Sequence, residues 1–349
     1  MKILVTGYHG YIGTVLCPML LERGHSVVGL DSDYFADCVF LKDSEWQRAY
    51  SSIKHLKRDM REVEIRDLEG CDAIFHLAAL SNDPIGKLNP KLTDDINHLA
   101  SIRLAKLAKQ AGVRRFIFSA SCSVYGAGDG NDKPLTEEAS FNPLSAYAVS
   151  KVETERDLRL LADKNFSPVY LRNATAYGLS PFLRVDLVVN NLTGWAVTTG
   201  EVRILSDGTP WRPIVHLRDI SAAFIAAAEA PIEAVHNQAF NVGVNSENYQ
   251  VRDIASLVQK IVPRCKVTYA GTGEPDNRSY RVDFGKIARV LPTFRPQWNL
   301  EKGIIELYDA YKARGLTLAD FESRLFTRLK QLQHLQQAGQ LDNQLRWQA

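Results

Sequence analysis

Met1-Lys2-Ile3-Leu4-Val5-Thr6-Gly7-Tyr8-His9-Gly10-Tyr11-Ile12-Gly13 opens the chain. Its first six residues form a short apolar, β-branched run of the kind buried on both faces of a parallel sheet. The run breaks into three glycines at positions one, four and seven of the turn. A helical stretch follows from Tyr11 to Arg23 and stops at Gly24. Ser26-Val27-Val28-Gly29-Leu30 then reads as a second strand, ended by Asp31. In this setting Gly7 permits the tight turn, Gly10 lets backbone approach a pyrophosphate, and Gly13 packs helix on strand. A diphosphate would rest on the amides of the helix N-terminus, favoured by its dipole. Asp31 would accept hydrogen bonds from ribose hydroxyls and repel a 2′-phosphate, which points to NAD rather than NADP. Arg23, beside the helix stop, reads as a C-terminal helix charge.

The same alternation continues downstream. Strand-like runs at 73–77, 115–119 and 168–171 are separated by helical stretches at 90–111 and 145–165. Strands alternating with helices predict an α/β fold, a doubly wound parallel sheet with right-handed crossovers. Ligands of such sheets bind beyond the carboxyl ends of the strands. After Arg172 the pattern loosens around Pro181, Pro210 and Pro213, with a helix at 220–229. The expected division is a Rossmann domain over 1–172 plus about 211–235, and a smaller α/β lobe over about 173–210 and 236–315. A helical extension at 316–349 would pack its stripe of Leu325, Leu329, Leu332 and Leu335 on the body or on another subunit.

Bulk properties narrow the class. A chain of 349 residues with 45% hydrophobic and 23% charged residues has the composition of a globular protein with a sizeable core. A formal net charge of +2 argues against a dedicated nucleic-acid surface. Cysteines 17, 38, 71, 122 and 265 show neither paired spacing nor a histidine cluster. No disulfide framework and no metal site is expected, and a reducing cytoplasm fits. The chain starts on a strand rather than a leader, and no apolar run reaches membrane-spanning length.

Chemistry enters at Tyr147-Ala148-Val149-Ser150-Lys151. Four residues apart on a helix, the tyrosine and lysine share a face, with Cβ atoms about 5–6 Å apart. An ammonium beside a phenol favours the phenolate. Such a tyrosine exchanges a proton with an alcohol near neutral pH, as hydride chemistry on a secondary alcohol requires.

Together these residues resemble the extended short-chain dehydrogenase/reductase family, the sugar-nucleotide epimerases and dehydratases, over roughly residues 1–315. The resemblance includes His76-Leu77-Ala78-Ala79, Ser119-Ala120-Ser121-Cys122-Ser123-Val124-Tyr125-Gly126, Arg212-Pro213-Ile214-Val215-His216, Phe240-Asn241-Val242-Gly243 and Asp276 with Asp283. It implies an NAD site formed by Gly7, Gly10, Tyr11, Ile12, Gly13, Asp31, Asp59, Met60, Leu77, Ala78, Ala79, Asn97 and Ser119. Tyr147 would be the acid/base, Lys151 its partner on the nicotinamide ribose, and Ser121 the hydrogen-bonding group for the reacting hydroxyl. Ser123 faces the same site in the family pattern, and Arg212 matches the arginine that clamps the nucleotide diphosphate. A nucleotide-sugar substrate and a homodimer are implied, with no nucleic-acid or membrane partner.

Position 123 separates branches of the family. Its 4,6-dehydratases carry Asp-Glu where this chain has Cys122-Ser123, and its decarboxylases carry Glu at 123. Elimination needs an acid for the leaving hydroxyl and a base for the C5 proton. An unperturbed thiol titrating near pH 8.5 and a serine supply neither. The expected activity is therefore an NAD-dependent epimerase working through a transient keto sugar. An NAD(P)H-dependent 4-ketosugar reductase is the alternative, ahead of a dehydratase or a non-catalytic NAD-binding protein. Thr175 stands where UDP-galactose 4-epimerases have a substrate-binding asparagine, Gly273 where they have an arginine, and Ser81 where they have a cofactor-contacting lysine. Arg278 or Arg281 would then serve as phosphate ligand, and Arg184 with Asn190 and Asn191 would reach the sugar or base.

Overall fold

The computed structural model describes residues 1–42, 44–81, 89–128, 133–269 and 278–348. Gly273, Asp276 and Asn277 lie outside the described residues. Twelve strands are present among the described residues: β1 (Lys2–Thr6), β2 (Ser26–Asp31), β3 (Lys54–Lys57), β4 (Ala73–His76), β5 (Arg115–Ser121), β6 (Ser167–Asn173), β7 (Thr175–Tyr177), β8 (Glu201–Ile204), β9 (Trp211–His216), β10 (Gln238–Val242), β11 (Asn248–Gln250) and β12 (Lys266–Tyr269). Seven of them form one parallel sheet in the order β10-β6-β5-β4-β1-β2-β3. The order reverses at β1, which pairs with β2 on one side and β4 on the other. A cleft for ligand opens at such a switch point, beyond the carboxyl ends of the strands. Ile3, Leu4 and Val5 of β1 and Ile74 and Phe75 of β4 are fully buried, because helices cover both faces.

The domain division needs correction at two strands. β10 completes the large sheet beside β6, although 236–242 was expected in the lobe. β9 pairs instead with β7 and β11 in a separate three-stranded sheet, although 211–216 was expected in the Rossmann domain. Both strands are short and largely buried, and burial alone does not say which sheet a strand joins. The helix Leu217–Glu229 between them is the crossover that returns the chain to the large sheet. A second apolar core, including Leu183, Val189, Leu192, Ile254, Ile304 and Leu307, fills the lobe.

The helical stretch at 90–111 is interrupted. Pro90–Asp94 runs into a π-helical turn at Asp95–Leu99 before Ala100–Gln110 continues. The extra residue per turn sits at Asn97, and π turns of this kind concentrate at functional sites. The extension folds back on the body of the same chain. Leu332 and Leu335 are buried with Tyr34, Leu80, Leu92 and Ile96, and Leu329 packs at their margin. Leu325 turns to the lobe core instead, so the stripe divides between two partners. No described helix is long and apolar enough to cross a membrane.

Candidate active site

The glycine turn has the geometry its sequence demands. Gly7 has φ +70°, and a Cβ there would stand 2.8 Å from the backbone of Ala78. A Cβ on Gly13 would stand 2.5 Å from Tyr8 Cα. No larger residue leaves room for this backbone approach. The turn is also tied to the lobe. Tyr11 Oη donates to the Gly178 carbonyl at 2.7 Å, Asn190 Nδ2 donates to Tyr11 Oη at 3.1 Å, and Thr14 Oγ1 lies 3.1 Å from Ser180 Oγ. Asn190 is fully buried and also accepts from Gly178 N at 3.0 Å, so it braces the two halves from inside.

Asp31 ends β2 as expected, its carboxylate accepting from the backbone N–H groups of Asp33 (2.9 Å) and His9 (3.1 Å). Burial pushes this carboxyl upward against the pull of those N–H groups and of His9. Behind it lies a network that the sequence reading missed. Asp33 receives His9 Nδ1 at 2.7 Å and His55 Nε2 at 3.0 Å, and His55 Nδ1 meets Tyr8 Oη at 2.5 Å. The donor atoms of His9, Asp33 and His55 lie within 4.8 Å of one another, with both Asp33 oxygens engaged by imidazole nitrogens.

Leu77, Ala78 and Ala79 follow β4 at the cleft and are partly exposed, whereas Met60 is buried beside Asp59. Asn97 is 1% exposed. Its carboxamide accepts from Leu80 N at 2.7 Å and donates to Leu80 O at 3.0 Å and Ser150 Oγ at 3.2 Å. It thus positions the loop after β4 rather than presenting itself to the cleft.

Ser145 caps the helix Ala146–Leu161, accepting from Ala148 N, and so fixes where Tyr147 and Lys151 emerge. Lys151 is buried, donates to the Ser119 carbonyl at 2.8 Å, and lies 4.6 Å from the Phe118 ring centroid and 5.6 Å from that of Tyr147. Burial lowers the ammonium to about 7. Ser121 ends β5 and its Oγ accepts from Ser123 N at 3.1 Å. Ser119 Oγ accepts from Asn173 Nδ2 at 3.1 Å. Asn173 Oδ1 and Ser123 Oγ are buried without a hydrogen-bond partner, two acceptor positions left for a group outside the chain. An amide donor such as the nicotinamide carboxamide suits that chemistry, and the turn with Asp31 suits a dinucleotide. Cys122 faces elsewhere, its thiol on the Arg172 carbonyl at 3.1 Å and pushed well upward by burial. A reactive thiolate is thereby ruled out at that position.

The chain belongs to the NAD dependent epimerase/dehydratase family. Residues 3–243 match it. A UDP-glucose 4-epimerase of Mycolicibacterium smegmatis is 29% identical over 331 residues, spanning 90% of this chain and all of that one. The UDP-glucuronic acid 4-epimerase of Bacillus cereus, solved with UDP-glucuronic acid and NAD, superposes with a TM-score of 0.77 at 27% identity, covering 90% and 99% of the chains. An NAD-dependent NDP-hexosamine 5,6-dehydratase of tunicamycin biosynthesis fits equally well, with a TM-score of 0.77, 25% identity and coverage of 89% and 98%. Overall shape therefore does not separate epimerase from dehydratase. The side chains at 121–123 and 147–151 have to.

The substrate half is less uniform. Arg212 on β9 donates through Nη1 to the carbonyls of Trp211 (2.8 Å) and Arg278, and the Arg281 guanidinium lies 5.1 Å from the Trp211 ring centroid. The fold thus gathers Arg212, Arg278 and Arg281 at one place. Thr175 is half-buried at the start of β7. Arg184 is buried, paired with Asp186 at 2.8 Å and donating to Ser81 Oγ at 2.9 Å. It brings a guanidinium to position 81, where the family resemblance lacks its lysine. Asn191 differs from expectation, since its Nδ2 is committed to the Val185 carbonyl at 2.8 Å.

Proposed function

We propose that the protein is a UDP-sugar 4-epimerase that uses bound NAD. The observation that carries this reading is the pairing of Tyr147 with a buried Lys151 on one helix, with Ser121 at the end of β5 and no carboxylate at 122–123. Tyr147 as phenolate accepts the proton of the sugar hydroxyl while Ser121 hydrogen-bonds the same oxygen. Lys151 in its charged form favours that phenolate and orients the ribose. Bound NAD would supply the hydride acceptor and, once the sugar has turned, the hydride donor. Between those events the diphosphate stays anchored through Arg212 and Arg281, so the keto sugar can turn and be reduced on its other face. Gly7, Gly10 and Gly13 hold the dinucleotide, and Asp31 the adenosine ribose.

A homodimer and a cytoplasmic site of action belong to the same reading. Leu160 is 81% exposed, and Leu99 and Val149 are also exposed on the helices that flank the sheet. Such apolar residues on neighbouring helices suit a subunit contact. Five unpaired cysteines suit a reducing compartment.

The test is incubation with a panel of UDP-sugars, with products resolved by mass and NMR. An isomer of equal mass, formed without added nicotinamide, is the expected result. Loss of water, or a gain of two mass units with consumption of NADH, would overturn it.

A further inference from the structure

The last described residues of the extension meet every loop expected to hold the adenosine half of NAD. From the loop after β2, Tyr34 Oη donates to the Leu345 carbonyl at 2.5 Å, and Ser32 O accepts from Trp347 Nε1 at 2.6 Å. From the loop after β3, Arg61 donates to the carbonyls of Gln344 (2.8 Å) and Leu345 (3.3 Å). Arg346 pairs with Glu62 at 2.5 Å and reaches the Asp59 carboxylate at 3.4 Å. From the loop after β4, Leu80 is buried against Leu341 and Leu345. Leu345 itself has φ +52°, a conformation leucine rarely adopts. Its carbonyl is thereby shared between Tyr34 and Arg61.

The family resemblance matches Asp59 and Met60 to an adenine contact, and the Asp59 carboxylate is already held by Arg61 at 2.6 Å. Burial alone would raise this carboxyl, but the hydrogen bonds of Arg61 and the charge of Arg346 outweigh it and hold the group below its ordinary range. Asp59 is thus positioned by Arg61, whose guanidinium also donates to the tail carbonyls of Gln344 and Leu345, and Arg346 adds its charge nearby. Lys57, at the end of β3, lies 4.9 Å from the Trp347 ring centroid and adds a further tie. The tail residues in these contacts lie beyond residues 3–243, the part of the chain that matches the family.

We propose that residues 341–348 are a strap that organises the adenosine end of the cofactor cleft and slows NAD release, with Arg346 and Trp347 as positioning residues. Tyr34 and Asp59 stand on loops that follow different strands and meet at 3.5 Å, and Leu341 and Leu345 of the tail share one buried cluster with Tyr34 and Leu80. Once NAD lies against these loops, leaving requires them to part, and the strap resists that. The proposal rests on the NAD site described above, and the experiment keeps the two separable.

The protein is purified as the full chain, as the double variant Arg346→Ala/Trp347→Ala, and as Trp347→Phe. NAD retained after extensive gel filtration is measured, together with the NAD dissociation rate and the affinities for AMP and for UDP. In the double variant NAD dissociation should quicken, and AMP affinity weaken, by roughly tenfold, the equivalent of about 1.4 kcal/mol. UDP affinity should not change, and Trp347→Phe should recover part of the loss. Equal NAD release and AMP affinity in wild type and double variant would overturn the strap. Parallel loss of AMP and UDP affinity would also overturn it, because that marks general unfolding. Wild-type protein that binds neither NAD nor AMP would instead refute the cofactor site itself.

Discussion

In the proposed function Gly7 and Arg212 would serve two halves of one site, and they are constrained in different ways. Gly7 is fixed by backbone, with a positive φ and the Ala78 main chain where any Cβ would go. Arg212 is a long side chain on the small sheet, placed by carbonyls of Trp211 and Arg278 that come from separate segments. In that reading the cofactor cradle starts from one short turn, Gly7 to Gly13, whereas the substrate half draws on β7, β9 and the segment at 278–281. Backbone cradles tolerate little change, whereas side-chain clamps can be exchanged, which lets one cofactor site serve many sugars.

Several substitutions would break or sharpen that contrast. Tyr147→Phe should lower kcat by about 10²–10⁴-fold, the usual worth of a positioned acid/base. NAD content, measured by release on denaturation, should stay at the wild-type level. Unchanged turnover would remove Tyr147 from the mechanism. Gly7→Ala should act on the other side of the contrast, weakening NAD binding by at least roughly 30-fold through left-handed backbone strain of about 1–2 kcal/mol plus the clash with Ala78. Calorimetric titration of the NAD-free variant checks this, and wild-type affinity would show that the turn is not the cradle.

Arg212→Ala should raise KM for the nucleotide sugar by roughly 10- to 150-fold, as loss of a charge-assisted hydrogen bond costs about 1.5–3 kcal/mol. Steady-state kinetics at saturating NAD would show it, and an equal rise with substrates lacking the diphosphate would speak against a phosphate clamp.

The smallest expected effect concerns pH. Burial holds Lys151 at about 7 in the folded chain, below its ordinary value near 10.4 when unfolded. Between those values the unfolded chain binds more protons, so stability rises with pH. Thermal melts of NAD-free protein should gain about 1–2 kcal/mol from pH 7 to 9. In Lys151→Met the slope over that range should flatten, and an identical slope would place the titration elsewhere.

The legibility of the site follows the same division. Asp31 could be read because it ends the strand that follows the glycine turn and its helix, but the meeting of His9 and His55 on Asp33 needs the turn and the pairing of β2 with β3 together. Asn97 was identifiable by its place on a helix, yet its use of both carboxamide ends on Leu80 depends on a π turn that periodicity does not reveal. Asn191 shows a related ambiguity. A polar residue early in a lobe helix can face the ligand or satisfy a carbonyl, and here the Val185 carbonyl takes it.

The sequence by itself determined the parallel fold, the dinucleotide cradle and the Tyr147/Lys151 pair, because each depends on residues within a few positions of one another, where backbone conformation and helical spacing decide the geometry. Only the tertiary structure decided which sheet β9 and β10 join, where Arg184 delivers its charge, and that the C-terminal extension returns to Tyr34, Asp59 and Leu80. Those outcomes depend on segments far apart in the chain, and they are settled by which buried surfaces and hydrogen-bonding groups find partners when the whole chain packs.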